Sequence, residues 1–104
     1  MPRRPRLTDE QVAARVMVTF MPRGRVERLP AKHKKRLVIL RWLADLFRPA
    51  RRYPEAQVDG VLRRYVDDYV TARRYLVDEE LMQRQGGAYW RAGTMPFRRS
   101  PAEP

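Results

Sequence analysis

Two runs of cations are the side chains best suited to chemistry: Lys32-His33-Lys34-Lys35-Arg36, and Arg48 followed by Arg51-Arg52. Ammonium and guanidinium groups at this density attract phosphate, and arginine adds a planar fork that matches guanine edges. Acidic groups cluster at Asp67-Asp68 and at Asp78-Glu79-Glu80. The first pair reads as a helix cap rather than a metal ligand pair, since Asp is a favoured N-cap. The second falls where a helix should end, against the dipole, and reads as a solvated turn. There is no cysteine, which removes disulfides, thiolate metal sites and thiol nucleophiles together. His33 is the single histidine, set among cations that disfavour a metal. Gly86-Gly87 lacks the Lys-Ser/Thr sequel of a phosphate loop, and Ser100 has no base near it in sequence. The expectation is a protein without catalytic chemistry, cofactor or metal.

The charge balance points to a partner. Of 104 residues, 23 are basic and 12 acidic, a net charge of +11. Such an excess on a small chain suits a polyanion, and nucleic acid is the commonest one. The length suits one domain, and a 43% hydrophobic content suffices for one modest core. The longest apolar run, Leu37 to Leu40, is far below the ~20 residues of a membrane span. With no secretory pattern at the basic start, the expectation is a soluble cytoplasmic protein with no membrane partner.

The elements that must position these groups follow from periodicity. Thr8-Asp9-Glu10-Gln11 has the form of a capping box, and Val12, Val16 and Phe20 recur at helical spacing, predicting a helix over 9–21. Pro22 and Gly24 end it, and 25–30 is extended. A second helix over 32–47 carries Ile39, Leu40, Trp42, Leu43, Ala44, Leu46 and Phe47 on one wide face, as in a central helix. Arg51-Arg52-Tyr53 is a short extended piece. Pro54 then opens a third helix, with Val58, Val61, Leu62 and Tyr65 inward. A fourth starts at Asp67 or Asp68. Tyr69, Ala72 and Leu76 line its core face, and Asp67, Thr71, Arg74 and Asp78 the opposite one. Leu81–Arg84 and Ala88–Arg91 form a hairpin about Gly86-Gly87, with one of Tyr89 and Trp90 in the core; Trp90, like Trp42, reads as a core residue. Residues 1–7 and 93–104 read as flexible ends, leaving one domain over 8–92 with its core in 25–91. The fold class is α+β: a winged helix-turn-helix-like arrangement of four helices, a C-terminal β-hairpin wing and a short extra strand. A helical bundle with an appended hairpin is the alternative.

Charge is uneven along this plan. Residues 31–66 carry ten basic and three acidic groups, whereas 67–92 carry four and five. In a winged helix the fourth helix meets base edges, and Asp67 and Asp68 at its start oppose phosphate. Phosphate contacts are therefore assigned to Lys32, Lys34, Lys35, Arg51 and Arg52, with Arg84 and Arg91 on the wing. Thr71 and Arg74 are the candidates for base edges; Arg73 is a further candidate that sits nearer the core flank, within reach of a carboxylate. Tyr89 and Trp90 are candidates for stacking on bases.

One run extends from Gly24 through Lys32-His33-Lys34-Lys35-Arg36 to Trp42-Leu43-Ala44. It continues through Arg52-Tyr53, Val58, Leu62-Arg63-Arg64-Tyr65, Asp67-Asp68-Tyr69 and Arg73-Arg74-Tyr75-Leu76-Val77. Leu81 and Gly87-Ala88-Tyr89-Trp90-Arg91 complete it. In this order the residues resemble a bacterial family known as domain of unknown function 2087, over about two-thirds of the chain. The resemblance implies a winged-helix-like module, found alone and fused to transcriptional regulators, with a suggested role in nucleic-acid binding. It implies no particular functional residues. Pro54 departs from the pattern where a capping Ser or Thr is expected. The functional expectation is a nucleic-acid-binding module, duplex DNA before RNA, associated with transcriptional regulation. The alternatives are a protein-interaction module and a binder of structured RNA.

Overall fold

Residues 8–93 are described by the structure, a computed structural model; the expected flexible ends, 1–7 and 93–104, lie outside them except for Gly93. Helix α1 (Asp9–Phe20) opens on the expected capping box. Thr8 Oγ1 accepts from the Gln11 backbone N–H at 3.1 Å, and Gln11 Oε1 accepts from the Thr8 N–H at 2.8 Å. Met21 is its C-cap, and Pro22 offers no donor to extend it.

Helix α2 (His33–Ala44) is shorter than the expected 32–47. Lys32 is the N-cap without a side-chain bond, and Leu46 and Phe47 donate to carbonyls only three residues back. The last turn is thus tightened rather than α-helical. Strand β1 (Tyr53–Pro54) leads into α3 (Glu55–Arg63), whose N-cap is Pro54. Proline has no side-chain acceptor, so Glu55 in the first turn is the group that complements the dipole. Helix α4 (Tyr69–Asp78) starts from Asp68.

Strands β2 (Met82–Gln85) and β3 (Ala88–Arg91) turn on Gly86 and Gly87, at φ 61° and 78°, a backbone that suits glycine. β2 therefore lies one residue later than the expected Leu81–Arg84. The three strands form an antiparallel sheet in the order β1-β3-β2, with Tyr53 opposite Tyr89 and Gln83 opposite Trp90. The described residues thus make an α+β fold of four helices and one small sheet.

The core lies between α2, α3, α4 and the inner sheet face. Ile39, Leu40, Leu43, Phe47, Val58, Leu62, Leu76 and Met82 are fully enclosed there. Trp42 is only half-buried and meets the Tyr65 ring edge-on at 5.1 Å. Residues 25–26 are sewn to the α3–α4 connection. The Val26 N–H donates to Tyr65 O at 2.6 Å and the Asp67 N–H to Val26 O at 3.1 Å, a parallel bridge. No helix among the described residues is long and apolar enough to cross a membrane.

Candidate nucleic-acid interface

Helix α4 meets α3, β2 and α2 through one side and leaves the other in solvent. Ala72 and Leu76 are buried, Tyr69 is half-buried, and Val70 and Arg74 are exposed, as the spacing predicts. The two aspartates at its start are both occupied. Arg25 Nε and Nη2 each lie 2.6 Å from Asp67 Oδ1, and Arg25 Nη1 donates to the carbonyls of Arg63 and Arg64. One side chain therefore neutralises Asp67 and satisfies the last carbonyls of α3. Asp68 is the N-cap: it accepts from the Thr71 hydroxyl at 2.7 Å and the Thr71 N–H at 3.2 Å. Those two bonds hold its carboxyl below the ordinary aspartate value. Thr71, expected at a base edge, has its hydroxyl proton committed to this cap.

Arg73 also turns inward. Its guanidinium pairs with Asp59 of α3, and Nε lies 3.9 Å from Glu55 Oε1. The Asp59 hydrogen bond raises the arginine further above its ordinary value. The Tyr89 hydroxyl donates to Glu55 at 2.8 Å, which lowers the glutamate, while burial first and that bond second raise the tyrosine. This network ties α3, α4 and β3 together and holds Arg73 inside the fold. Arg91 is likewise engaged: Nη2 donates to Asp45 at 3.1 Å and Nη1 to Phe47 O at 3.2 Å. It closes the loop after α2 onto β3 instead of standing on a wing surface.

The remaining expected site residues are exposed. Lys32, Lys34 and Lys35 mark the start of α2, and Arg51, Arg52, Arg74 and Arg84 stand on the surface with no carboxylate within ion-pair distance among the described residues. Arg74 lies 6.0 Å from the Tyr75 ring centroid, whose ring also carries Arg36 at 4.8 Å; Arg84 lies 5.8 Å from that of Tyr89. His33, expected as part of a basic helix start, does begin α2 and also has a carboxylate partner. Its Nε2 lies 2.9 Å from Glu79 Oε1 at the end of α4, so Glu79 is not merely a solvated turn residue. That bond sets the basic start of α2 beside the C-terminal end of α4.

Tyr89 and Trp90 point to opposite faces of the sheet. Tyr89 is in the core, 3% exposed; Trp90 is 8% exposed yet stands outside the core cluster. Neither presents a free ring to a base, so the expected stacking role has no surface to work with. Gln83 was not among the expected site residues, although register about Gly86-Gly87 pairs it with Trp90. The Arg25–Asp67 and His33–Glu79 pairings were missed because their partners lie 42 and 46 residues apart in sequence.

The geometry defines a class: a small, strongly basic α+β domain in which Asp45, Glu55, Asp59, Asp67, Asp68 and Glu79 are engaged by side chains within the fold. The chain belongs to the family described as uncharacterized protein conserved in bacteria (DUF2087), whose pattern matches residues 25–91. Helix α1 lies outside the matched segment. Neither the comparison with curated proteins nor that with solved structures gives a match.

Proposed function

We propose that this domain is a winged helix-turn-helix that binds duplex DNA and serves transcriptional regulation. In that reading α3 and α4 are the helix pair, α4 lies in the major groove, and the β2–β3 hairpin is the wing. The element order and the sheet order β1-β3-β2 support it. The observation that carries it is the surroundings of the outer face of α4. Arg25 neutralises Asp67, Asp68 is turned onto Thr71, and the exposed face bearing Arg74 is flanked by basic groups. These are Arg36, which shares the Tyr75 ring with Arg74, Lys32 at the start of α2 beside the His33–Glu79 bond, and Arg84 across the α4–β2 packing. Lysines and arginines off α4 hold phosphates and release counterions, and Arg74 reads a base edge.

The test is anisotropy of a labelled duplex across a salt series. Affinity falls with a slope of about −0.9 per phosphate neutralised. Changing Lys34 and Lys35 to Ala weakens all duplexes alike, and Arg74→Ala costs about 1–3 kcal/mol on a preferred site and much less on a scrambled one. No binding at low salt, or a flat salt dependence, overturns the proposal. It would favour a protein partner docked on α4, where Val70 is 50% exposed.

A further inference from the structure

We propose that Trp90 is the hub of a phosphate-contacting site on the outer face of the sheet, with Arg52 as its charged donor and Gln83 as its neutral donor. This deepens the duplex-DNA reading and rests on it. The argument starts from a burial that the core does not explain. β3 alternates, so Tyr89 faces inward and Trp90 outward. An outward tryptophan with only 8% of its surface exposed must be covered by something else. Two polar side chains contribute to that cover: the Arg52 guanidinium, 5.2 Å from the ring centroid, and Gln83, whose Oε1 accepts the indole Nε1–H at 2.7 Å.

That hydrogen bond settles the orientation of the Gln83 amide. An indole N–H only donates, so the glutamine oxygen faces it and the amide NH2 is left as a donor. Arg52 lies over the ring, and its five N–H groups lie in the guanidinium plane. No carboxylate pairs with it among the described residues. The indole thus seats two donor groups, and neither has its acceptors supplied by a described carboxylate. Arg51, over the Tyr53 ring at 5.2 Å, and exposed Arg48 add charge on the same loop. The complement of the Arg52 guanidinium and the Gln83 amide NH2, held side by side on one indole, is an acceptor-rich anion, and the partner that fits is a DNA phosphodiester. A groove of about 620 Å³ joins this place to α4, lined by Trp90, Gln83 and Arg84 on the sheet and Val77 on the helix. Glu80 is the one carboxylate lining it, at its helix end. A strand backbone held at Arg52 and Gln83 therefore runs beside the helix that carries Arg74.

The test uses the full chain and the same labelled duplex, with Arg52→Ala, Arg52→Lys, Gln83→Ala and Gln83→Glu. Thermal melts by circular dichroism establish that each variant is folded. Arg52→Ala is expected to weaken binding about tenfold and to reduce the salt slope by about 0.9. Arg52→Lys restores the slope but not the full affinity, because an ammonium has no planar fork to hold over the ring. Gln83→Glu replaces the free donor by an acceptor and weakens binding more than Gln83→Ala does. A purely structural role for Arg52 would change the melt and leave the slope alone. If the unaltered protein binds with a steep slope while Arg52→Ala and Gln83→Glu change neither affinity nor slope, this site is refuted and the duplex-DNA reading survives. If the unaltered protein binds no duplex at low salt, both fall.

Discussion

Replacing Arg73 tests whether that residue holds the fold together or touches a ligand. Its side chain is 19% exposed and that of its partner Asp59 is 20% exposed. An exposed pair contributes up to about 1 kcal/mol, and breaking a fully buried one costs about 3–5 kcal/mol. At one-fifth exposure, with Glu55 as a second acceptor, Arg73→Met should cost about 2 kcal/mol. For a domain of this size that is a fall in Tm of about 8–16 °C. Asp59→Asn should cost somewhat less, because the amide oxygen still accepts. In the double variant neither half of the Arg73–Asp59 pair is left as an unpaired charge, so the two losses should overlap by about 1 kcal/mol or more. Urea unfolding of the four proteins measures the coupling, and the DNA salt slope is recorded for each. Single losses below about 0.5 kcal/mol that simply add would refute the tie between α3 and α4. A slope reduced by about one in folded Arg73→Met would show the guanidinium neutralising a phosphate instead.

Other perturbations follow from the same structure. Glu80 sits at φ 60° just past α4, where its N–H donates to Val77 O and the Leu81 N–H to Leu76 O, each at 2.9 Å. Glycine fits that left-handed position, so Glu80→Gly should raise stability by about 0.5–1 kcal/mol, read as a higher urea midpoint. Leu62 is completely buried, and Leu62→Ala should cost about 2–5 kcal/mol by the same measurement. Asp68 has its carboxyl lowered from the ordinary value of 3.8, so its contribution is present above that pH and is lost as pH falls through the lower folded value. The Tm gap between the unaltered protein and Asp68→Ala should therefore be full at neutral pH and close in acid; a gap unchanged below pH 3.8 would contradict the cap.

The features legible in the sequence are those whose cause is local. Thr8 and Gln11 stand at the spacing of a capping box, and Pro22 and Gly86-Gly87 constrain the backbone where they occur. The apolar spacing of α2, α3 and α4 picks out Leu43, Val58, Leu62, Ala72 and Leu76 because each helix buries one stripe. The fates of the arginines are another matter. Arg25, Arg73 and Arg91 look alike in sequence, and each finds its carboxylate 14 to 46 residues away. Only Arg73 carries a hint, since it sits on the core flank of α4 while Glu55 and Asp59 share one face of α3 at i, i+4 spacing. Thr71 carried a signal too: it stands three residues after Asp68, where an N-cap side chain finds its backbone donor. Trp90 was indistinguishable from a core aromatic until strand register assigned it to the outer face, where its cover is polar.

The seam at residues 25–26 has a kinetic consequence. Arg25 and Asp67 are 42 residues apart in the chain. Bringing them together closes a long loop, whose entropy is recovered only after α2 and α3 have packed. The Val26–Val66 bridge and the Arg25 contacts are therefore expected to form in the last stage of assembly, after the folding barrier. Weakening them should hasten unfolding and leave the folding rate nearly unchanged. The same seam attaches whatever precedes Arg25 directly to the connection between α3 and α4. A load on the N-terminal side of the domain would first meet the packing of α1 on α2, where Val16 and Met21 join the core, and would then reach that connection through residues 25–26.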